Sequence, residues 1–190
     1  MLVLVLGLII FLGIHSVRIV APQVREGFVG RRGLGPWKGS YSIIAAVGLV
    51  LIILGYWLAR QDPVVLYTPA TWMRHLTLLL MLPVFPLMAA AHRPGRISAT
   101  VGHPMLLGTV IWGIAHLLAN GTLADLLLFG GIGAWAVVDW FSSLRHPREP
   151  VARGKPSPRN DLMAVVGGLV IYAILVGGLH RLLFGVSPIG

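Results

Sequence analysis

The stretch GHPMLLGTVIWGIAHLLANG, Gly102 to Gly121, decides how this chain has to fold. Most of it is apolar enough to lie in a membrane, yet His116 stands in a run of Ile, Ala and Leu, and His103 precedes Pro104. Each imidazole carries two ring nitrogens that need partners when water is excluded. The stretch therefore predicts a buried helix whose histidine has a structural or chemical role.

Composition places that helix in a membrane protein. Of the 190 residues, 56% are hydrophobic and 11% are charged, whereas soluble domains have about 45–50% apolar and about 25% charged residues. The net charge of +9 is spread between apolar blocks and forms no continuous basic face, so the expected partner is a lipid bilayer and not nucleic acid. The chain has no cysteine, which excludes disulfides, thiolate metal sites and a catalytic thiol.

Apolar segments predict an all-α fold, a polytopic membrane helix bundle that forms a single integral membrane domain over residues 1–190. A membrane-spanning helix needs roughly 20 mainly apolar residues, and the six predicted spans are residues 2–21, 41–59, 72–91, 104–119, 123–141 and 162–184. Pro83 and Pro86 predict a kink in the third span. Asn120–Gly121–Thr122 predicts a tight antiparallel hairpin between the fourth and fifth spans. Close helix packing is predicted for small residues of the last two spans, namely Gly130, Gly131, Gly133, Gly167, Gly168, Gly177 and Gly178.

Basic residues predict the orientation. Loops one, three and five carry 12 of the 15 Lys and Arg residues, Arg18 being counted with loop one. The positive-inside rule then places these loops in the cytoplasm and both termini on the outer side. The fifth loop, residues 145–160, is rich in proline and charge and is predicted to be mobile.

Two histidines lie deep in the predicted spans, His15 in the first and His116 in the fourth. Residues three and four positions apart share a helix face, and the face around His116 holds Met105, Gly108, Thr109, Trp112, Gly113 and Asn120. Small residues beside an aromatic wall would leave a hollow for a flat macrocycle. His15 and His116 therefore predict a bis-histidine haem b site, with Arg18 pairing with a propionate. Along the two helices, however, the histidines differ in depth by up to about 10 Å.

The same residues have other interpretations. Each imidazole could instead hydrogen-bond across helices to Ser16, Thr109 or Asn120. Zinc is disfavoured because no cysteine or nearby carboxylate completes the ligand set. Asp139 is expected to form a salt bridge with the basic loops.

Near the outer surface, Arg74 and His75 are candidates for binding an anionic headgroup or substrate. Asp125 is expected to be solvated or paired at its helix end.

Four stretches of the sequence resemble the NnrU family of bacterial membrane proteins. They are LGIHSVRIVAP (Leu12–Pro22), GPWKGSYS (Gly35–Ser42), TPATWMRHLTLLLMLP (Thr68–Pro83) and GHPMLLGTVIWGIAHLLANGTLADLLLFGGIGAW (Gly102–Trp135). The resemblance extends to about Trp140 and matches the last span only in character. It implies a bacterial inner-membrane location and a link to nitrite and nitric oxide reduction, with nitrogen-oxide reductase components as partners.

The NnrU family is similar to plant 15-cis-zeta-carotene isomerase, a haem b enzyme. That similarity implies haem ligation by His15, which precedes Ser16, and by His116, which follows Ala115. Gly113 stands where the plant motif has a cysteine, which puts a redox-dependent ligand switch in doubt. The alternatives to a haem protein of denitrification are a cis–trans isomerase of a lipophilic polyene and a haem-free assembly factor. His103–Pro104–Met105 also resembles an element of isoprenylcysteine carboxyl methyltransferases, although the chain lacks polar residues for that cofactor.

Overall fold

The computed structural model describes residues 1–145 and 154–189, and these are mostly helical. The helices are α1 (Leu2–Val20), α2 (Pro22–Arg32), α3 (Leu34–Ala59), α4 (Thr71–Met81), α5 (Val84–Ala90), α6 (Arg96–Val101), α7 (Pro104–Ala119), α8 (Leu123–Arg145) and α9 (Pro158–Phe184). In the described ranges, β structure is limited to an antiparallel bridge between Val65 and Thr122. The all-α prediction is confirmed.

Five helical segments of the described chain are long and apolar enough to cross a membrane: α1, α3, α4 with α5, α8 and α9. The fourth predicted span, α7, is apolar but has 16 residues, about 24 Å of helix against a hydrocarbon core of about 30 Å. The helix α3 begins seven residues before the predicted start of its span, because the GPWKGSYS segment is already helical. The chain is thus a polytopic helix bundle with one short member.

The predicted kink in the third span is confirmed. The helix α4 ends at Met81, Leu82 and Pro83 form a turn, and α5 begins at Val84. Pro83 has no amide hydrogen, so the ladder of helix hydrogen bonds breaks there. Pro86 is accommodated in the first turn of α5, where a missing amide hydrogen removes no bond within the helix.

Glycines set the closest helix contact, between α1 and α3. A Cβ atom on Gly7 would lie 2.6 Å from Ile52 N, one on Gly48 would lie 2.7 Å from Phe11 N, and one on Gly55 would overlap the backbone of Leu4. The sequence had pointed instead to glycines of the last two spans. Gly168, against Pro86, does pack closely, but Gly131 and Gly167 have nothing within 4 Å of an added Cβ.

One end of the bundle is closed by the hairpin between α7 and α8, and it is called the hairpin end below. Leu66 N and Tyr67 N donate to Gly121 O at 2.8 and 3.1 Å, and Leu123 N donates to Val64 O at 2.8 Å. The segment between α3 and α4 therefore lies across the predicted hairpin.

Tyr67, in this segment, donates from its hydroxyl to Asn120 O at 2.9 Å. Burial raises the pKa of Tyr67, and the Asp125 carboxylate raises it further.

Both termini lie at the hairpin end. Leu4 packs against Gly55 near the end of α3, and Arg60 Nη1 donates to Phe184 O at 3.0 Å. The two termini therefore share a side, as the charge pattern predicts. Whether that side faces outward stays a prediction.

The opposite end of the bundle carries α2 and α6, which form inside predicted loops one and three. Asp161 at the start of α9 accepts from the amides of Arg96 and Ile97 at 2.8 and 3.1 Å. The end of the fifth loop thus packs against the third loop. Residues 146–153, including Arg148, Glu149 and Arg153, lie outside the described residues, and so does much of the segment predicted to be mobile.

Candidate functional site

His116 lies near the last turn of α7, half-buried toward the hairpin end. Its Nδ1 is 2.9 Å from Trp112 O, and a carbonyl oxygen can only accept, so Nδ1 carries the proton. The neutral ring then presents an unprotonated Nε2, which has no hydrogen-bond partner in the described part of the chain. His116 is thus poised to accept a hydrogen bond or to bind a metal ion.

A π-helical turn of α8 forms one wall beside His116. It spans Leu126–Gly130, and its Phe129 ring stacks on the imidazole with centroids 4.6 Å apart and planes 29° apart. Trp112 approaches the same two rings, each at 5.0 Å. Single π-helical turns inside α-helices occur frequently at functional sites.

A buried carboxylate adjoins the π turn. Asp125 is 4% exposed, and its Oδ1 accepts from Tyr56 Oη at 2.6 Å. Its Oδ2 accepts from the amide and the hydroxyl of Thr122 at 2.9 and 2.6 Å. Three donors compensate a charge that would otherwise be costly to bury. Pairing therefore holds Asp125, and the alternative expectation of solvation at a helix end is wrong.

His15 occupies a second site, nearer the α2 end. Its Nδ1 is 2.6 Å from Phe11 O, so it too presents Nε2. Its ring lies among Phe11, Tyr41 and Trp135, with centroid distances of 4.2, 5.2 and 5.7 Å. Ser16 bonds to Leu12 O at 2.7 Å and accepts from Trp135 Nε1 at 3.2 Å, so its hydroxyl serves the helices rather than the imidazole.

The two histidines contact different levels of α8. His116 meets Phe129, and His15 meets Trp135 six residues further along, which corresponds to about 9 Å of helix rise. Two axial ligands of one haem bind the same iron from opposite faces of the ring, so their coordinating nitrogens have to lie within a few ångströms of each other. This packing does not fit a haem held by both residues.

Neighbouring helices fill the predicted hollow beside His116. A Cβ atom on Gly113 would lie 2.8 Å from Phe129 O and 3.2 Å from Gly133 Cα, and one on Gly108 would lie 3.3 Å from Val84 O. The small residues of α7 therefore admit backbone from α8 and α5. In this packing, backbone atoms occupy the space beside Gly108 and Gly113, so a macrocycle cannot lie against these two residues.

The remaining predicted residues are dispersed. Thr109 bonds to Met105 O within its own helix at 2.9 Å, and the Asn120 amide donates to His116 O at 2.8 Å. Neither contacts an imidazole nitrogen, so the predicted interhelical histidine bonds do not form with these residues.

The other charged candidates are Arg74, His75, His103 and Arg18. Arg74 and His75 are exposed at the start of α4, and His103 precedes α7 without capping it through its side chain. Arg18 and Asp139 both lie close enough to Tyr41 for their charges to act on its hydroxyl. The expected salt bridge of Asp139 stays a prediction.

The Asp125–Tyr56 pair was not predicted from the sequence. A local signal was present, because a threonine followed three residues later by an acidic residue is a capping-box pattern, and Thr122 and Asp125 do form that box. Tyr56, 69 residues earlier in the chain, could be connected to it only through the tertiary fold.

Comparison with known protein families identifies a match over nearly the whole chain. The family model described as NnrU protein matches residues 3–188, which extends past Trp140 and includes the last span. No curated protein and no solved structure matches the chain.

Proposed function

Because the chain belongs to the NnrU protein family, we propose that it is a multi-pass protein of the bacterial inner membrane that binds a lipophilic small molecule at His116. The observation that carries the proposal is the state of this imidazole. Trp112 O fixes the proton on Nδ1, and Nε2 is left to accept a hydrogen bond inside an apolar bundle. A ligand that carries a hydroxyl on an apolar body fits this arrangement.

The surrounding groups hold the imidazole in place. Phe129 and Trp112 restrict the ring, and the Asn120 amide binds the His116 carbonyl. Asp125, Tyr56 and Thr122 fix the start of α8 and therefore the π turn that carries Phe129. Because His116 is only partly covered by protein, a molecule dissolved in the bilayer can reach it laterally.

A pair of matched ligands tests the proposal. Wild-type protein labelled with 15N-histidine is titrated with para-nonylphenol and with its methyl ether, which lacks the donor hydroxyl. We expect the phenol to bind about tenfold more tightly, the usual contribution of one hydrogen bond, and to shift the Nε2 resonance of His116. His116→Phe should remove that preference.

His92→Phe is the control, because His92 has the same bond from Nδ1 to a carbonyl four residues earlier, at 3.0 Å from Met88 O, but is exposed. This variant should keep the preference for the phenol. Equal binding of phenol and ether by the wild-type protein would refute the proposal.

A role in nitrogen-oxide respiration is the second part of the proposal, and the resemblance to the NnrU family supports it. Deletion of the chromosomal copy should cause nitrite or nitric oxide to accumulate during anaerobic growth on nitrate, and His116→Phe should reproduce the defect if the two parts are connected. Normal nitrogen-oxide turnover in the deletion strain would leave a respiratory role without support.

Haem b is the competing hypothesis. The Nδ1 bonds of His15 and His116 favour haem, because hydrogen bonds of this kind orient metal-ligating imidazoles. The contacts of the two histidines with different turns of α8, and the stacking of Phe129 on the His116 ring, oppose it. Absorption spectra of the purified protein, oxidised and reduced after haem supplementation, decide the question. If the wild-type protein shows a low-spin bis-histidine spectrum and both His15→Ala and His116→Ala lose it, the protein binds haem through these residues. The proposal of a hydroxyl-bearing ligand at His116 is then wrong.

The isomerase and assembly alternatives make separate predictions. A polyene isomerase would convert an added cis-polyene and would need no donor hydroxyl on its substrate. An assembly factor would show neither ligand preference nor turnover, and it would instead copurify with reductase components.

A further inference from the structure

Two adjacent arginines end the short helix α2, which links the apolar helices α1 and α3. Phe28, Arg31 and Arg32 line a groove of about 310 Å³. The helix buries none of its residues, and it follows directly on a membrane-spanning helix. Its position is therefore the level of the lipid headgroups, at the end of the bundle opposite the hairpin.

Both guanidinium groups are held in place. Arg31 Nε donates to Gly27 O at 3.0 Å, which leaves its two terminal nitrogens to point elsewhere. The Arg32 guanidinium lies over the Phe28 ring, 5.5 Å from the ring centroid. Phe28 in turn meets Trp37 edge to face at 5.5 Å, so an aromatic pair supports the groove on its apolar side.

The arginine pair has no counter-charge within the part of the chain that the structure describes. Within the described ranges, no carboxylate forms an ion pair with Arg31 or Arg32. Guanidinium groups bind phosphate oxygens through two parallel hydrogen bonds, and aromatic side chains are favoured at the headgroup level of a bilayer.

We propose that Arg31 and Arg32, supported by Phe28, form a binding site for the phosphate of an anionic phospholipid headgroup. The acyl chains of that lipid lie along the apolar surfaces of α1 and α3. The site is independent of His116, which lies toward the other end of the bundle. The shared chemistry of a lipid phosphate and a free phosphate ion requires that the test separate the two.

Native mass spectrometry of the full chain released from detergent measures the bound lipids. Phosphatidylglycerol and phosphatidylcholine are added at equal concentration, and we expect the wild-type protein to prefer phosphatidylglycerol. Arg31→Gln with Arg32→Gln should lower that preference about tenfold, because each basic side chain beside an anionic surface adds to the affinity while both groups stay exposed and screened. Arg31→Lys with Arg32→Lys keeps the charge but removes the planar guanidinium groups. The preference of this variant for phosphatidylglycerol should therefore lie between those of the wild type and the double glutamine variant.

Arg145→Gln with Lys155→Gln is the matched control, since it removes two exposed cations from the same end of the bundle. This control should keep the wild-type preference, and millimolar inorganic phosphate should not displace the lipid. The proposal is overturned if the Arg31 and Arg32 double glutamine variant prefers phosphatidylglycerol as strongly as the wild type does. It is also overturned if the control variant loses as much of this preference as the double glutamine variant, or if inorganic phosphate displaces the lipid.

Discussion

Asp125 and Tyr56 show how a single charged residue is tolerated inside this bundle. A charged side chain in a membrane-spanning helix costs at most about 2.5–3.5 kcal/mol on insertion scales, the value at the bilayer centre, and less near a helix end such as that of Asp125. The Tyr56 hydroxyl, 2.6 Å from Asp125 Oδ1, and the two donors of Thr122 offset that cost. The bond from Tyr56 also connects α3 to the start of α8, so it stabilises tertiary structure as well as charge.

We expect Tyr56→Phe to lower the free energy of unfolding by about 1–2 kcal/mol, because it removes one of three donors from a buried carboxylate. Tyr67→Phe is the control, since the hydroxyl of this exposed tyrosine makes an exposed hydrogen bond to Asn120 O, and the loss of that bond should cost less than about 1 kcal/mol. Thermal unfolding in detergent, followed by circular dichroism, measures both. Equal losses in the two variants would contradict the role given to Asp125.

At the scale of helices, the α1–α3 contact depends on the absence of side chains on Gly7, Gly48 and Gly55. The two backbones approach so closely that a methyl group at any of these positions would meet main-chain atoms of the opposite helix. Helices in membranes associate largely through such close packing, since lipid tails are as apolar as leucine.

Gly48→Ala should therefore destabilise the protein by about 1–3 kcal/mol, the usual cost of overpacking. Gly13→Ala in α1, where nothing lies within 4 Å of an added Cβ, should be neutral or slightly stabilising because alanine favours the helix. Unfolding in sodium dodecyl sulfate titrations compares the two. A Gly48→Ala protein as stable as the Gly13→Ala protein would show that the helices can separate at little cost.

Sequence patterns predicted the helices well because hydrophobic length is a local property. The six apolar blocks are helical, and five of them are long enough to cross a membrane. The break at Pro83 and the hairpin at residues 120–122 are also observed. The π turn at Leu126–Gly130 was not predicted, and neither was the stacking of Phe129 on His116, which joins residues of two different helices. For the candidate site, the sequence selected His15 and His116 and indicated that they differ in depth, but the α8 residues that contact each ring, Phe129 and Trp135, follow from the tertiary packing.

For the whole molecule, the distribution of basic residues predicts which end of the bundle faces the cytoplasm, whereas the packing of the helices does not determine it. Both termini lie at the hairpin end, so one measurement orients the complete bundle. A phosphatase fused after Gly190 should be active and a green fluorescent protein fused there should be dark, because both termini are predicted to lie outside. Insertion of the same reporters after Gly33 should give the reverse pattern. A fluorescent fusion after Gly190 would show that the positive-inside prediction is wrong.

The bond between Tyr56 and Asp125 also has a consequence for biogenesis. The chain leaves the ribosome from its N-terminus, and Tyr56 precedes Asp125 by 69 residues. The α1–α3 pair can therefore already be inserted and joined through its glycines when α8 emerges, with the tyrosine hydroxyl in position. The carboxylate then enters the bilayer where the Tyr56 hydroxyl is already in place to donate to it, and the two donors of Thr122 arrive with it on the same nascent segment.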